Sequence, residues 1–468
     1  MDERRRALAA TAQMVTAPNA ARCVAQFKPS NVAMLMEILR HFGDSPDFVT
    51  PTLEILLAVA SAAADSDGAT STNGNHGATN VFVAATPADV LKAMSDVALL
   101  VGNMRGGDFW CRYNTVSLLT KLHKGDPAGF GAKLLATPNG VADLVDVLND
   151  ASNGGALRDE GLLLFMELTG PQGNDEVKTI LAFENCFESL FTIIHDEGGP
   201  IGGSVIARDC LSIVQNMIRA NKNTQKFFRE MGCARELTKL LQTDFHAALA
   251  TSGGPGPSSP SSSLVPDAQS MEIMRAVVDT IRIVLEGADS NGDGGDARTV
   301  LTQCGVPAAL GAYVFATLPS LRTDDGGAAE VEALRTLARC VAGCKAASDT
   351  IKSATVRRHG ADSSTMWVAL LGALTDSNAD RQAASARLLY AVVASSGTDA
   401  AQLLVRGLAP RPGAGTSCGQ LLGPYLFATR KPTPATHNIA CLVTAACITS
   451  SSGLADQVVT TAWDGDVA

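Results

Sequence analysis

A unit of about 45 residues recurs along this chain, and each copy has the same plan: a short amphipathic helix, a Gly or Asn break, then a second helix ending in paired large apolar residues. The clearest copies are residues 126–150, 173–196, 221–242 and 296–317, with the break at Gly140, Asn185, Gly232 and Gly305. The first two intervals between breaks are 45 and 47 residues; the third is 73 and contains two Gly/Ser/Asp-rich stretches, 251–267 and 287–296. Taking those 27 residues out leaves 46. A period of this length with two or three helices per unit is the signature of armadillo and HEAT arrays. A single unit cannot bury its own apolar face, so copies must stack.

The short-range pattern agrees. Phe183, Phe187, Leu190, Phe191 and Ile194 recur at three- and four-residue steps, and Ile206, Cys210, Ile213, Val214 and Met217 repeat that spacing, with Arg208, Asp209, Gln215 and Arg219 opposite. Longer amphipathic helices are predicted between the breaks, over 154–170, 204–219 and 270–287. No run of strict alternation argues for strands. The predicted fold is all-α, an armadillo/HEAT-like right-handed α-solenoid with loop insertions at 65–80, 251–267 and 287–296, where Gly, Ser, Pro and Asn prevent a packed core. Residues 1–468 read as one head: the repeats are clearest over 87–345, and 346–468 is a less regular helical part.

Composition narrows the function. A formal charge of −10 argues against nucleic-acid binding, which needs clustered Lys and Arg. The eleven cysteines are scattered through helical patterns and no Asn-x-Ser/Thr acceptor occurs, which points to a reducing, cytoplasmic setting. The start, MDERRRALAATAQMV, lacks a signal-type apolar core. Apolar stretches such as 439–448 fall short of the roughly 20 residues that span a bilayer, so any membrane association is expected to be peripheral.

Several local patterns could carry chemistry. Asp289, Asn291, Asp293 and Gly294 match the first half of a calcium loop, but Val300 stands where a bidentate Glu is needed. His195-Asp196-Glu197 precedes two glycine pairs and Ser204, yet consecutive side chains fan around a helix end and do not converge. Cys340 and Cys344, four apart, are read as packed on one helix face. Trp110 and Asn114 have the WxxxN spacing of peptide-gripping armadillo grooves; neither Trp367 nor Trp463 repeats it, so Trp110 is expected in the core. None of these amounts to a catalytic, metal or cofactor site, and the expectation is a protein that binds and does not catalyse.

The segments LRDEGLLLFMELT (157–169), ILAFENCFESLFTIIHDEGG (180–199), GGSVIARDCLSIVQNMIRANKNTQKFFREMG (202–232) and SCGQLLGPYLFAT (417–429) together resemble the globular head of the Uso-type general vesicular transport factors. The resemblance implies an armadillo-like head that tethers vesicles between the endoplasmic reticulum and the Golgi by binding Rab-family GTPases, SNARE or tethering-complex proteins. It also implies a cytoplasmic protein peripherally attached to Golgi or vesicle membranes, with the full-length proteins forming homodimers. The family-like residues it offers for partner binding are Glu184, Asn185, Glu188, Asp196, Glu197, Arg208 and Asp209. Two positions depart: the family usually carries acids where Ile201 and Arg208 stand. Its long coiled coil and acidic tail have no counterpart within these 468 residues, so the chain is expected to be a head-only form, a piece of a longer protein, or a diverged member. The alternative is a generic armadillo adaptor or chaperone cofactor that grips peptides or a folded partner. A calcium-regulated or hydrolytic protein is the third, more remote reading.

Overall fold

The computed structural model describes residues 2–16, 23–24, 26–68, 86–105, 108–150, 152–242, 268–316, 327–356, 364–374, 378–396 and 399. The expected insertion 251–267, most of 65–80, the segment 417–429 and Trp463 lie outside these residues. The chain divides into two compact units, Met1–Ile194 with Ser212–Met217, and His195–Leu211 with Ile218–Ala468.

The first unit opens with α1 (Asp2–Thr16), α2 (Pro29–Phe42) and α3 (Pro46–Gly68), then proceeds in triplets. These are α4 (Pro87–Ala93), α5 (Val97–Met104) and α6 (Phe109–Gly125), followed by α7 (Pro127–Ala136), α8 (Gly140–Leu148) and α9 (Ala156–Thr169). Next come α10 (Asp175–Phe183) and α11 (Cys186–Asp196). Side-chain caps set the starts. Thr86, Asp96, Asp108, Asp126 and Asn174 each accept a hydrogen bond from a backbone N–H in the first turn of the helix that follows. Pro87 and Pro127 occupy the first helical position, where the missing N–H costs nothing. The long helices pack on one another, α3 on α6 and α6 on α9.

Over Pro46–Ala64, α3 is long and apolar enough to cross a bilayer, contrary to the expectation that no stretch reaches that length. Thr50, Thr52 and Glu54 interrupt the apolar run without lowering the average enough. Helices α1, α2 and α6 pack against α3, which reads as a core helix.

The second unit contains a single turn at Gly199–Gly202, and α12 (Val205–Ile218) is shared between the two clusters. The triplets continue with α13 (Lys222–Glu230), α14 (Cys233–Leu241) and α15 (Ala268–Asn291), then α16 (Gly294–Gln303), α17 (Val306–Ala316) and α18 (Ala328–Val341). Last come α19 (Lys345–Ser353), α20 (Met366–Ala373) and α21 (Ala379–Ser396). Between α19 and α20, Thr355–Val356 pairs antiparallel with Ser364–Thr365, a short ladder that two-residue strands are too brief to announce by alternation. Again the third helices stack, α15 on α18 and α18 on α21.

The sequence breaks have a common backbone cause. Asn139, Asn185, Gly232 and Gly305 all adopt the left-handed conformation, with φ of 58°, 62°, 74° and 84°. This reverses the helix path at little cost only for Gly and, to a lesser degree, Asn. The first break is therefore Asn139, not Gly140, which is already the first residue of α8.

Two expectations are corrected here. The stretch 287–296 is not a loop insertion: its first half completes α15 and Gly294 begins α16. Helix α15 has 24 residues where α9 and α12 have 14, so the ten surplus residues lengthen a helix. Phe183 is also not a core residue; it is 66% exposed, whereas Phe187 is fully buried. The helical phase resets at the left-handed Asn185, so the four-residue step from Phe183 to Phe187 crosses two helices and does not follow one face.

Candidate functional site

The glycine pairs after α11 form a joint. Gly198 and Gly199 have φ of 82° and 55°, and Gly203 has 58°. Gly202 is required for a different reason: a Cβ there would lie 2.1 Å from the Glu197 carbonyl oxygen, a backbone atom that cannot move aside alone. Ser204 Oγ donates to Glu197 Oε2 at 2.8 Å and accepts from the Ile206 N–H at 3.1 Å, which caps the start of α12. His195 Nε2 lies 2.9 Å from Glu236 Oε2. Hydroxyl and imidazole are thus engaged with different carboxylates, and the trio expected not to converge is spread around a helix end.

Burial works against ionisation of Glu236, but hydrogen bonds from Lys239 and His195 outweigh it and hold the carboxyl below its ordinary 4.5. A carboxyl lowered on folding contributes stability above its unfolded value and loses it as pH falls through the folded value. Glu236→Gln is therefore expected to lower the melting temperature at pH 7, and the gap to wild type should close as pH falls below about 4.5. Thermal melts of both proteins from about one pH unit below to about three above typical carboxyl values check this.

Arg208, one of the two departures from the family pattern, faces both Asp209 and Glu272, each at 3.3 Å. The hydrogen bonds to Asp209 and then Glu272 raise its pKa further. Arg208 thereby cross-links α12 to α15. Ile201 is 46% exposed on the joint, and Asp196 is also exposed.

The remaining family-like residues lie in the first unit. Glu184, Asn185 and Glu188 line a cleft of about 440 Å³ together with Ala142, Val145, Asp146, Asn149, Ser189 and Thr192. Helix α8 and its cap contribute Ala142, Val145, Asp146 and Asn149; the start of α11 contributes Asn185, Glu188, Ser189 and Thr192. Both sets follow the i, i+3, i+4, i+7 spacing of one helix face, and that shared spacing is the signal by which the sequence could have disclosed Asp146, Asn149, Ser189 and Thr192. No Lys or Arg lines the cleft. The seven candidates thus divide into an acidic cleft in one unit and the joint with its Arg208 cross-link in the other.

The other sequence candidates are absorbed by structure. Asp289 accepts from Arg298 at 2.7 Å, Asn291 donates to Gln225 at 2.9 Å, and Asp293 lies 3.5 Å from Arg229. The side chains that match the calcium loop are thus engaged with Arg298, Gln225 and Arg229. Cys340 is buried in α18, its thiol pushed up to about 12 by burial, while Cys344 caps α19 beyond the left-handed Gly343; the two do not share one helix face. Trp110 is 59% exposed, against the expected core position, and packs edge-on to Phe109 and Tyr113 at centroid distances of 5.1 and 6.2 Å. Asn114, one turn further along α6, is buried.

This architecture has known counterparts. The chain is 34% identical over 155 residues to the Saccharomyces cerevisiae intracellular protein transport protein USO1, covering 33% of this chain and 8% of that protein. It is 28% identical over 265 residues to the human general vesicular transport factor p115, covering 56% and 24%. Over these stretches it is similar to Uso-type vesicular transport factors. Golgin candidate 6 of Arabidopsis thaliana is 32% identical over 211 residues, 45% of this chain and 21% of that protein. The matched part is about a quarter or less of the length of each of these proteins. No protein-family model matches the chain. Two crystal structures, titled Uso1-2 and Uso1-1, share the fold: TM-scores are 0.65 and 0.60, at 20% and 18% identity, over 95% and 98% of this chain and 66% and 73% of those chains. The all-α, armadillo-like solenoid fold is thereby that of the Uso-type heads.

Proposed function

We propose that this chain acts as the protein-binding head of a vesicle tether, serving endoplasmic reticulum-to-Golgi and intra-Golgi transport. The observation that carries the reading is the similarity of this chain, over 265 and 155 residues, to proteins named for vesicular and intracellular transport. The mechanism is recruitment: helices present fixed surfaces, a Rab-family GTPase, SNARE or tethering-complex protein docks, and no bond is made or broken. The docking surfaces are the cleft at Glu184, Asn185 and Glu188 and the joint at Asp196, Glu197, Arg208 and Asp209. The protein would sit in the cytoplasm, peripherally on Golgi or vesicle membranes, and pair as a homodimer. Support also comes from how the enzyme-like residues are spent, with Ser204 capping a helix and His195 paired to Glu236.

The test is pull-down of Rab-family GTPases loaded with GTP or GDP. Preferential capture of the GTP form is expected; equal or absent capture of both would count against GTPase-dependent docking. One observation favours a generic peptide-gripping adaptor as a second reading, the exposed Trp110 above the buried Asn114 on α6.

A further inference from the structure

A second cleft of the first unit, of about 350 Å³, lies where the end of α2, the start of α3, α5 and the start of α6 meet. Leu39, Val49 and Cys111, all buried, give it an apolar floor. Asn103 of α5 lines it, and the Nδ2 of that side chain is buried with no hydrogen-bond partner. The residue is held in place around this orphan donor. Gly43 lets the amide lie against the end of α2, since a Cβ there would stand 2.9 Å from Asn103 Oδ1, and the Cys111 thiol donates to the Asn103 carbonyl at 3.6 Å. Roughly nine in ten buried polar groups in native proteins are paired, because an unmet donor gives up its water without compensation. A positioned donor that borders a cleft and has no acceptor in the protein points to an acceptor that arrives from outside. Beside it the cleft is open: nothing lies within 4 Å of where a Cβ on Gly102 would project.

The neighbours decide what kind of acceptor fits. Arg40 is spent on Glu37 and on Asp96, the latter at 2.9 Å, and His41 Nδ1 donates to the Glu37 carbonyl at 3.0 Å. Asp108 Oδ1 accepts from the Cys111 N–H at 2.8 Å, and among the described residues neither Asp108 nor Asp44, both on the cleft, forms an ion pair. An anionic acceptor would therefore meet two carboxylates and no unpaired Lys or Arg. A neutral peptide carbonyl meets no such repulsion. A peptide unit also offers an N–H to Asn103 Oδ1, which takes no hydrogen bond among the described residues, so the two amides can pair reciprocally. The remaining space lies over the apolar floor, where a side chain next to that peptide unit can be buried. We propose that this cleft receives a peptide unit of a partner protein together with an adjacent apolar side chain, Asn103 pairing with the peptide and Leu39, Val49 and Cys111 receiving the side chain. This rests on the protein-binding reading above and names the chemistry of the partner at a surface that reading does not use.

The test uses the full chain with isotopically labelled asparagine and the neutral probe N-acetyl-leucinamide, which carries two amides and one apolar side chain. In NMR spectra the Asn103 side-chain NH2 signal, assigned by its loss in Asn103→Leu, should shift saturably as the probe is added. N-acetyl-leucine, whose carboxylate meets Asp44 and Asp108, should bind about tenfold more weakly. Saturation-transfer spectra of the probe itself then read the variants. Asn103→Leu, which keeps the shape and removes the donor, should weaken binding about threefold to tenfold. Gly102→Trp, which extends into open space and fills the mouth of the cleft, should abolish it, while Gly295→Trp, an equally open glycine on α16, should change nothing. Circular dichroism is expected to show an unchanged helical fold in all three. An Asn103 signal that ignores the probe and exchanges with a long-lived water means that solvent satisfies the donor, and overturns the proposal. Binding that survives Gly102→Trp, or equal binding of the amide and the carboxylate, overturns it as well. A chain that captures a GTP-loaded GTPase yet ignores the probe overturns the cleft assignment and leaves the tether reading standing. The reverse outcome overturns the tether reading alone.

Discussion

Glu330→Leu is expected to destabilise the second unit by about 3–5 kcal/mol, the cost of stripping one partner from a buried ion pair. Glu330 in the first turn of α18 lies 3.1 Å from Arg381 on α21, and their side chains are only 7% and 10% exposed. The guanidinium also donates to the Val314 carbonyl at 3.4 Å. The same pocket buries Tyr313, whose hydroxyl is pushed up to about 12 by burial first and by the Glu330 charge second, with Arg275 opposing. Taking away the carboxylate leaves Arg381 desolvated between two stacked helices. Replacing both members by apolar residues of similar size, Glu330→Leu with Arg381→Met, should recover most of the loss, because neither charge then needs compensation. Urea denaturation followed by circular dichroism measures both; a double variant as unstable as the single one would show that packing volume, not charge, holds α18 against α21.

The second large effect is expected at Phe187. Phe187→Ala should cost about 3–5 kcal/mol, since it empties a fully enclosed aromatic site in α11. Phe183→Ala, four residues earlier, should cost about 1 kcal/mol or less, because that ring is 66% exposed. The same denaturation series reads this contrast directly. Equal costs would mean that α10 and α11 form one continuous helix and that the left-handed Asn185 does not break the phase.

That pair of phenylalanines shows where the sequence was legible and where it was not. The all-helical class and the repeat came from periodicities that local physics enforces: 3.6 residues per turn, and a recurring residue able to take positive φ. Asn185, Gly232 and Gly305 were found because Gly and Asn are the residues that reverse a helix cheaply. At Asn139 the neighbouring Gly140 drew the break one residue too far, since composition does not say which of two permissive neighbours turns. Burial within a helix was misread wherever phase was carried across such a break, as at Phe183, or where a wide apolar face hid its orientation, as at Trp110.

The stretch 287–296 was misread for another reason. Asp, Gly, Ser and Asn favour turns in isolation, but here Asp289, Asn291 and Asp293 each find a side-chain partner, Arg298, Gln225 and Arg229, and tertiary contacts override propensity. Of the seven family-like site residues, the sequence joined all in one segment; the structure separates Glu184, Asn185 and Glu188, which share the cleft, from Asp196, Glu197, Arg208 and Asp209 around the joint. Only neighbouring helices distant in sequence reveal that the first three face Asp146 and Asn149.

We propose that this head works by docking a partner protein. The most direct measurement is calorimetric titration of the chain with a Rab-family GTPase in its GTP-loaded and GDP-loaded states. Saturable binding to the GTP form is expected, at least about tenfold tighter than to the GDP form, a difference of about 1.4 kcal/mol. Identical affinity for the two forms, or no heat with either, would contradict it.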